Sequence, residues 1–116
     1  MKILFIGTKS GNSYLQYLAL KDMYKKVDFI DGYDSLLKFN LFLKIFIHIN
    51  PIIFESHLNK IILKKIKNNY DLIYIRSGEL IGEKLINILK KKTNKIVFFC
   101  NDNPFVKRDK NKWKLF

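Results

Sequence analysis

The sequence predicts an α/β fold: a Rossmann-like, doubly wound parallel sheet of about four strands. Two observations carry this expectation. Short β-branched and aromatic runs (Ile3–Ile6, Val27–Ile30, Leu72–Ile75 and Ile96–Cys100) alternate with longer stretches whose apolar residues recur at helical spacing. Each run is closed by glycine or by a polar, turn-forming cluster, and the stretches between runs are long enough for helical crossovers.

Lys2-Ile3-Leu4-Phe5-Ile6-Gly7 reads as the first parallel strand. The polar loop Gly7–Asn12 follows, and either Ser10 or Asn12 can cap a helix through Tyr14, Leu15, Leu18 and Met23. Val27–Asp31 is a second strand broken by Gly32, which completes a βαβ unit. Residues 34–67 predict two helices. The first, capped by Asp34 or Ser35, contains Leu36–Ile49, where Asn40, Lys44 and His48 form one polar stripe and most other positions are Leu, Phe or Ile. Such a helix is either wedged between sheet and neighbouring helix, or packed on a further domain, a partner chain or a membrane surface. It is too short and too interrupted by charge and proline for a transmembrane span.

Asn50-Pro51 predicts the start of the next helix, with Leu58, Ile61, Ile62 and Ile66 on one face. After the turn at Asn68–Asp71, Leu72–Arg76 is a third strand and Ser77-Gly78-Glu79 its exit loop. Glu83–Lys91 predicts a helix with Leu85, Ile86 and Leu89 inward. Ile96–Cys100 is the fourth strand, expected to be buried on both faces because its apolar run is unbroken. Right-handed crossovers with short connections favour the spatial order 2-1-3-4. The switch point then lies between the first and third strands. The loops Gly7–Asn12 and Arg76–Glu79 face it, with Asn101–Asn103 next along the edge where open α/β sheets bind ligands.

A chain of 116 residues, 48% of them hydrophobic, is expected to form one folded domain. The single cysteine, Cys100, excludes an internal disulfide framework and fits a reducing, cytoplasmic setting. No charged leader or cleavage site precedes the first apolar run, so no signal peptide is expected. The net charge of +12 comes from 20 Lys and only two Arg, alongside much Ile, Asn, Phe and Tyr, a joint bias that AT-rich coding produces. The lysines are spread along the chain and not interleaved with Arg and aromatics, which favours a solvated surface over a nucleic-acid interface. Peripheral contact with an anionic membrane, at its inner face, remains as the charge-based alternative.

Gly7-Thr8-Lys9-Ser10-Gly11 stands between strand and helix, where backbone N–H groups can hold an anion. Its spacing matches neither a dinucleotide fingerprint nor a P-loop, and a ligand-facing loop and a plain tight turn both fit. Asp102 can act as a base, orient a hydroxyl or cap a helix, with Asn101 and Asn103 beside it as hydroxyl partners. Glu79 is a second candidate, and Arg76 can take a carboxylate or phosphate. His48 and His57 have no metal-ligand spacing with Cys100, so no metal site is expected, and Cys100 reads as a small core residue. A response-regulator chemistry is excluded because Ile6 and Gly7 occupy the place of its acidic residues.

Three pieces in order, Met1–Gly7, Arg76-Ser77-Gly78-Glu79 and Asn101-Asp102-Asn103-Pro104-Phe105, resemble the N-terminal domain of bacterial GT-B glycosyltransferases, in particular the CgeB-like (spore maturation protein-like) group. The resemblance covers nearly the whole chain, and the last motif is the distinctive one. It departs from the group at Asn103, where a second Asp is usual, and at Arg76-Ser77, where a Lys precedes the glycine. The resemblance implies an acceptor-side domain of a metal-independent sugar transferase, with the C-terminal donor-binding domain lacking. Its partners would be a nucleotide sugar, as co-substrate, and a glycan or other acceptor. Asp102 and then Glu79 would be the catalytic candidates. Gly7, Thr8, Ser10, Gly11, Arg76, Ser77, Gly78, Asn101 and Asn103 would contact substrate. A non-catalytic α/β module, docking a partner or membrane through Leu36–Ile49, is the competing expectation.

Overall fold

The computed structural model describes residues 1–32, 52, 55–76 and 81–101. Strands β1 (Lys2–Gly7), β2 (Lys26–Asp31), β3 (Leu72–Arg76) and β4 (Ile96–Phe99) form one sheet in the order β2-β1-β3-β4, parallel at every pairing. Helices α1 (Gly11–Met23), α2 (Glu55–Lys65) and α3 (Glu83–Leu89) lie between them in sequence. This is the expected Rossmann-like arrangement, with β1 and β3 at its centre.

The two faces of the sheet are built differently, because side chains alternate along each strand. On one face Leu4, Ile6, Ile30, Ile73 and Ile75 form an aliphatic core with Ile62 of α2 and Leu85 and Leu89 of α3. On the other, Phe5 stacks between Phe29 and Tyr74, with ring centroids 5.8 and 5.2 Å away, and Tyr14 and Tyr17 of α1 cover this row. Burying one such aliphatic side chain contributes about 1.5–3 kcal/mol relative to leaving it exposed.

Hydrogen bonds at the strands' amino ends fix the register. Asp71 N–H donates to the Lys2 carbonyl at 2.9 Å, and the Lys2 N–H donates back to the Asp71 carboxylate. Tyr70 N–H donates to the Lys92 carbonyl at 2.9 Å, and the Tyr70 hydroxyl donates to Asp28 Oδ2 at 2.8 Å. That hydroxyl is pushed up to a pKa of about 12, first by burial and then by the hydrogen bond to the Asp28 carboxylate and its charge.

Four expectations are corrected. Of the apolar set Tyr14, Leu15, Leu18 and Met23 at helical spacing in α1, Tyr14 turns to the sheet but Leu15 is 62% and Met23 73% exposed, while Ser13 is buried and Tyr17 joins Tyr14 on the sheet. Aromatic stacking on Phe5 and Phe29 decides the helix's rotation. Strand β4 is not buried on both faces. It stands at the edge of the described sheet with Phe98 and Phe99 well exposed, and Cys100 after it is only half-buried. Helix α3 ends at Leu89, so Lys91 and Lys92 belong to the turn beyond it. Asn12 is no cap, since it lies inside α1 and Ser10 takes the N-cap position. The Leu36–Ile49 segment, His48 and the Asn50-Pro51 boundary lie outside the described residues; His57 is exposed on α2, as a surface residue should be.

Candidate functional site

At the carboxyl ends of the central strands, β1 stops at Gly7 and β3 stops at Arg76. The two residues are neighbours. A Cβ built on Gly7 would lie 3.3 Å from Arg76 Cβ, 2.5 Å from Ser13 Oγ and 2.6 Å from Phe5 Cε1. Glycine is therefore required here by close packing of α1 on the strand end. Ser13 Oγ then accepts a hydrogen bond from Thr8 N–H at 3.0 Å, and Asp31 at the end of β2 accepts one from Lys9 N–H at 2.9 Å. These two amides of the loop are thus already used within the protein. The Gly7–Gly11 loop is held shut, more like the tight turn than the open anion cradle that its position also allowed. Gly11 sits at φ +54, a left-handed conformation that suits glycine, and opens α1; Ser10 is exposed and extended, and its hydroxyl makes no capping bond.

Arg76 is the exceptional residue. Its side chain is 6% exposed, and its guanidinium carbon lies 4.7 Å from the centroid of the Phe99 ring. Nε and Nη1 are buried without a hydrogen-bond partner among the described residues. A guanidinium is thus held away from water here with two of its donors unmet. Stacking on an aromatic face offsets part of the cost, about 0.5–2 kcal/mol, but leaves Nε and Nη1 unmet. Asp31 stands two strands away, roughly 10 Å at ordinary strand spacing, and already holds the Lys9 amide. A buried cation whose donors are open is receptive to an anion that can accept two N–H groups in one plane, a carboxylate or a phosphate. The neighbouring Tyr74 hydroxyl is pushed up by burial, against the opposing effect of the Arg76 charge.

No family model, curated protein or solved structure matches the chain. The site therefore rests on its own geometry. The structure brings together Gly7, Thr8, Ser10, Gly11 and Arg76 of the sequence-predicted set at one edge, with Asn101 exposed just beyond β4. Ser77, Gly78, Glu79, Asp102 and Asn103 lie outside the described residues. Among the described residues no cluster of three His, Cys, Asp or Glu side chains could hold a metal, and no helix is long and apolar enough to cross a membrane.

Sequence reasoning missed Ser13, Asp31 and Phe99. Phe99 is recognisable only once the register Arg76↔Phe99 is known. Ser13, six residues after Gly7, is a legible signal in retrospect: a small hydroxyl in the first turn of a helix packed on a glycine.

Proposed function

We propose that the chain is the N-terminal, acceptor-side domain of a glycosyltransferase that moves a sugar from a nucleotide-sugar donor to an acceptor such as a cell-surface glycan. The donor-binding domain would be supplied by a further part of the protein. The observation that carries this reading is Arg76, a buried cation with open donors at the switch point of a parallel 2-1-3-4 sheet. A nucleotide sugar presents a diphosphate, and sugar transfer releases a nucleoside diphosphate whose developing charge such a cation would stabilise. Two motifs that support the glycosyltransferase resemblance also begin at this edge: Arg76-Ser77-Gly78-Glu79 leaves β3, and Asn101-Asp102-Asn103-Pro104-Phe105 follows β4. Asp102 is assigned as the base or acceptor-orienting carboxylate, and Glu79 as the second candidate.

Calorimetric titration of the chain joined to its donor-binding domain, with uridine and guanosine diphosphates, tests the reading. Saturable binding is expected, weakened on the order of tenfold or more in Arg76→Met, with the variant's thermal midpoint unchanged or raised, because an unpaired buried charge has been removed. Failure of the wild type to bind any nucleoside diphosphate or inorganic pyrophosphate would remove the assignment. Once the protein is joined to its donor-binding domain, Asp102→Asn should lower turnover by roughly a hundredfold or more with no change in folding. Unaltered turnover would take the base role from Asp102.

A further inference from the structure

The lysines are scattered in the sequence but not in space. In a parallel sheet every helix-to-strand connection returns to the same edge, the one where strands begin. Lys2 opens β1, and Lys25 and Lys26 lead into β2. Lys64, Lys65 and Lys67 fall between the end of α2 and β3, while Lys90, Lys91, Lys92 and Lys95 fall between α3 and β4. Ten of the fourteen lysines among the described residues thus share the amino edge of the sheet; Lys9, Lys21, Lys60 and Lys84 are the others. Against these ten stand Asp22, Asp28 and Asp71, of which Asp28 accepts the Tyr70 hydroxyl and Asp71 the Lys2 amide. At the opposite edge the described residues include Lys9, Asp31 and Arg76.

Coding bias sets how many lysines the chain has, not where they fall. Complementing the helix dipoles accounts for Lys64, Lys65 and Lys90 at helix ends. It does not account for Lys25, Lys26, Lys67, Lys91 and Lys95, all exposed and beyond the last turns. Two clefts open on this edge on either side of Tyr70. One is lined by Lys90, Lys91 and Lys92 together with Asp71, the other by Lys64, Lys65 and Lys67 together with Asp28.

We infer that the amino edge of the sheet docks the protein on an anionic lipid bilayer, with the two lysine-lined clefts receiving phospholipid headgroups. Lysine ammonium groups on flexible stems suit a fluid field of mobile charges, where each contributes a roughly equal share of attraction. A nucleic acid would call for arginine forks and exposed aromatic platforms. Among the described residues no arginine stands at this edge, and Tyr70 is 5% exposed with its hydroxyl taken by Asp28. The inference stands on lysine placement alone and does not need the transferase reading.

Co-sedimentation with vesicles of phosphatidylcholine and phosphatidylglycerol in equal parts, against vesicles of phosphatidylcholine alone, tests it. The protein should bind only the anionic vesicles and release as salt is raised. The double variant Lys67→Gln/Lys91→Gln should weaken binding on the order of tenfold, while Lys60→Gln/Lys84→Gln, with the same change in net charge, should weaken it by less than about threefold. All four side chains are exposed, so both variants should keep the wild-type thermal midpoint. Equal losses in the two variants would reduce the effect to bulk charge and overturn the inference. So would failure to bind anionic vesicles, or displacement from them by single-stranded RNA at equal phosphate concentration.

Discussion

Gly7 and Arg76 show how one strand-end pair can be at once tightly packed and electrostatically open. Replacing Gly7 by Ala puts a methyl within 2.5 Å of Ser13 Oγ and 2.6 Å of the Phe5 ring, both held from the other side by Thr8 and by the aromatic row. Neither neighbour can retreat freely, so Gly7→Ala should destabilise by about 1–3 kcal/mol, read as a lower urea midpoint at constant slope. Wild-type stability in that variant would mean that α1 can lift from the strand end. The need for glycine at position 7 was legible as a strand terminator but not as a packing requirement, because Ser13 and Arg76 meet it only after the chain has folded. Arg76 itself stood out in the sequence by rarity. Its burial did not, since nothing local distinguishes a strand-ending arginine that reaches solvent from one laid over Phe99 on the next strand.

At the scale of elements, what the sequence conveyed well was where each strand begins and ends, and what it conveyed poorly was which way each element faces. All four strands fall where their apolar runs are bounded by glycine or by charged or polar residues, and the parallel order follows from their alternation with helices. The facing of α1 is not legible because its apolar and aromatic residues occupy more than half the circumference, leaving periodicity without a clear direction. The choice was made by ring-to-ring contact, Tyr17 standing 4.7 Å from Phe29 and 6.0 Å from Phe5 by centroid. Tyr17→Ala should therefore cost about 3–5 kcal/mol, as for a large aromatic removed from a core, and Leu15→Ala less than about 0.5 kcal/mol, as for an exposed position. Thermal or urea unfolding of the two variants decides the matter, and comparable losses would return α1 to the Leu15 face. Strand β4 was misjudged for the opposite reason. Its run is apolar on both faces, but a run of that kind reports hydrophobicity, not the number of neighbours the strand obtains.

Across the whole molecule, Tyr70 is the point where distant parts are tied together. It lies just before β3, is bridged to Thr93 ahead of β4, and reaches Asp28 on β2, with the Lys2 ammonium 5.0 Å over its ring. Its proton is held more tightly in the folded protein than in the unfolded chain, about 12 against 10.0. The sign follows: the native state binds more protons between those values, so the stability this group contributes is complete below pH 10 and is lost as pH rises toward 12. Tyr70→Phe should remove that component of the alkaline loss and lower stability near neutrality by about 1 kcal/mol, the worth of one hydrogen bond. Parallel alkaline titrations of unfolding for the two proteins are the measurement, and identical slopes would show that another group dominates. At this scale the two proposed surfaces are also opposed. Arg76 is at the carboxyl edge and the lysines are at the amino edge, so a bilayer-docked molecule would hold its anion site away from the lipid, toward acceptors in solution.

The central position of β1 has a further consequence, for the order in which the protein is made. Its first partner, β2, follows within the next few residues after α1, but its second partner, β3, begins only after a further 40 residues, 32–71. At ordinary rates of translation those residues take roughly 2–8 s to appear. Until β3 is made, the edge of β1 that it will pair, Ile3 to Ile6, has no strand to fill its backbone donors and acceptors. An open apolar edge of this kind recruits stray strands. Of the two central strands, β1 thus waits longer for its second partner than β3 does for β4.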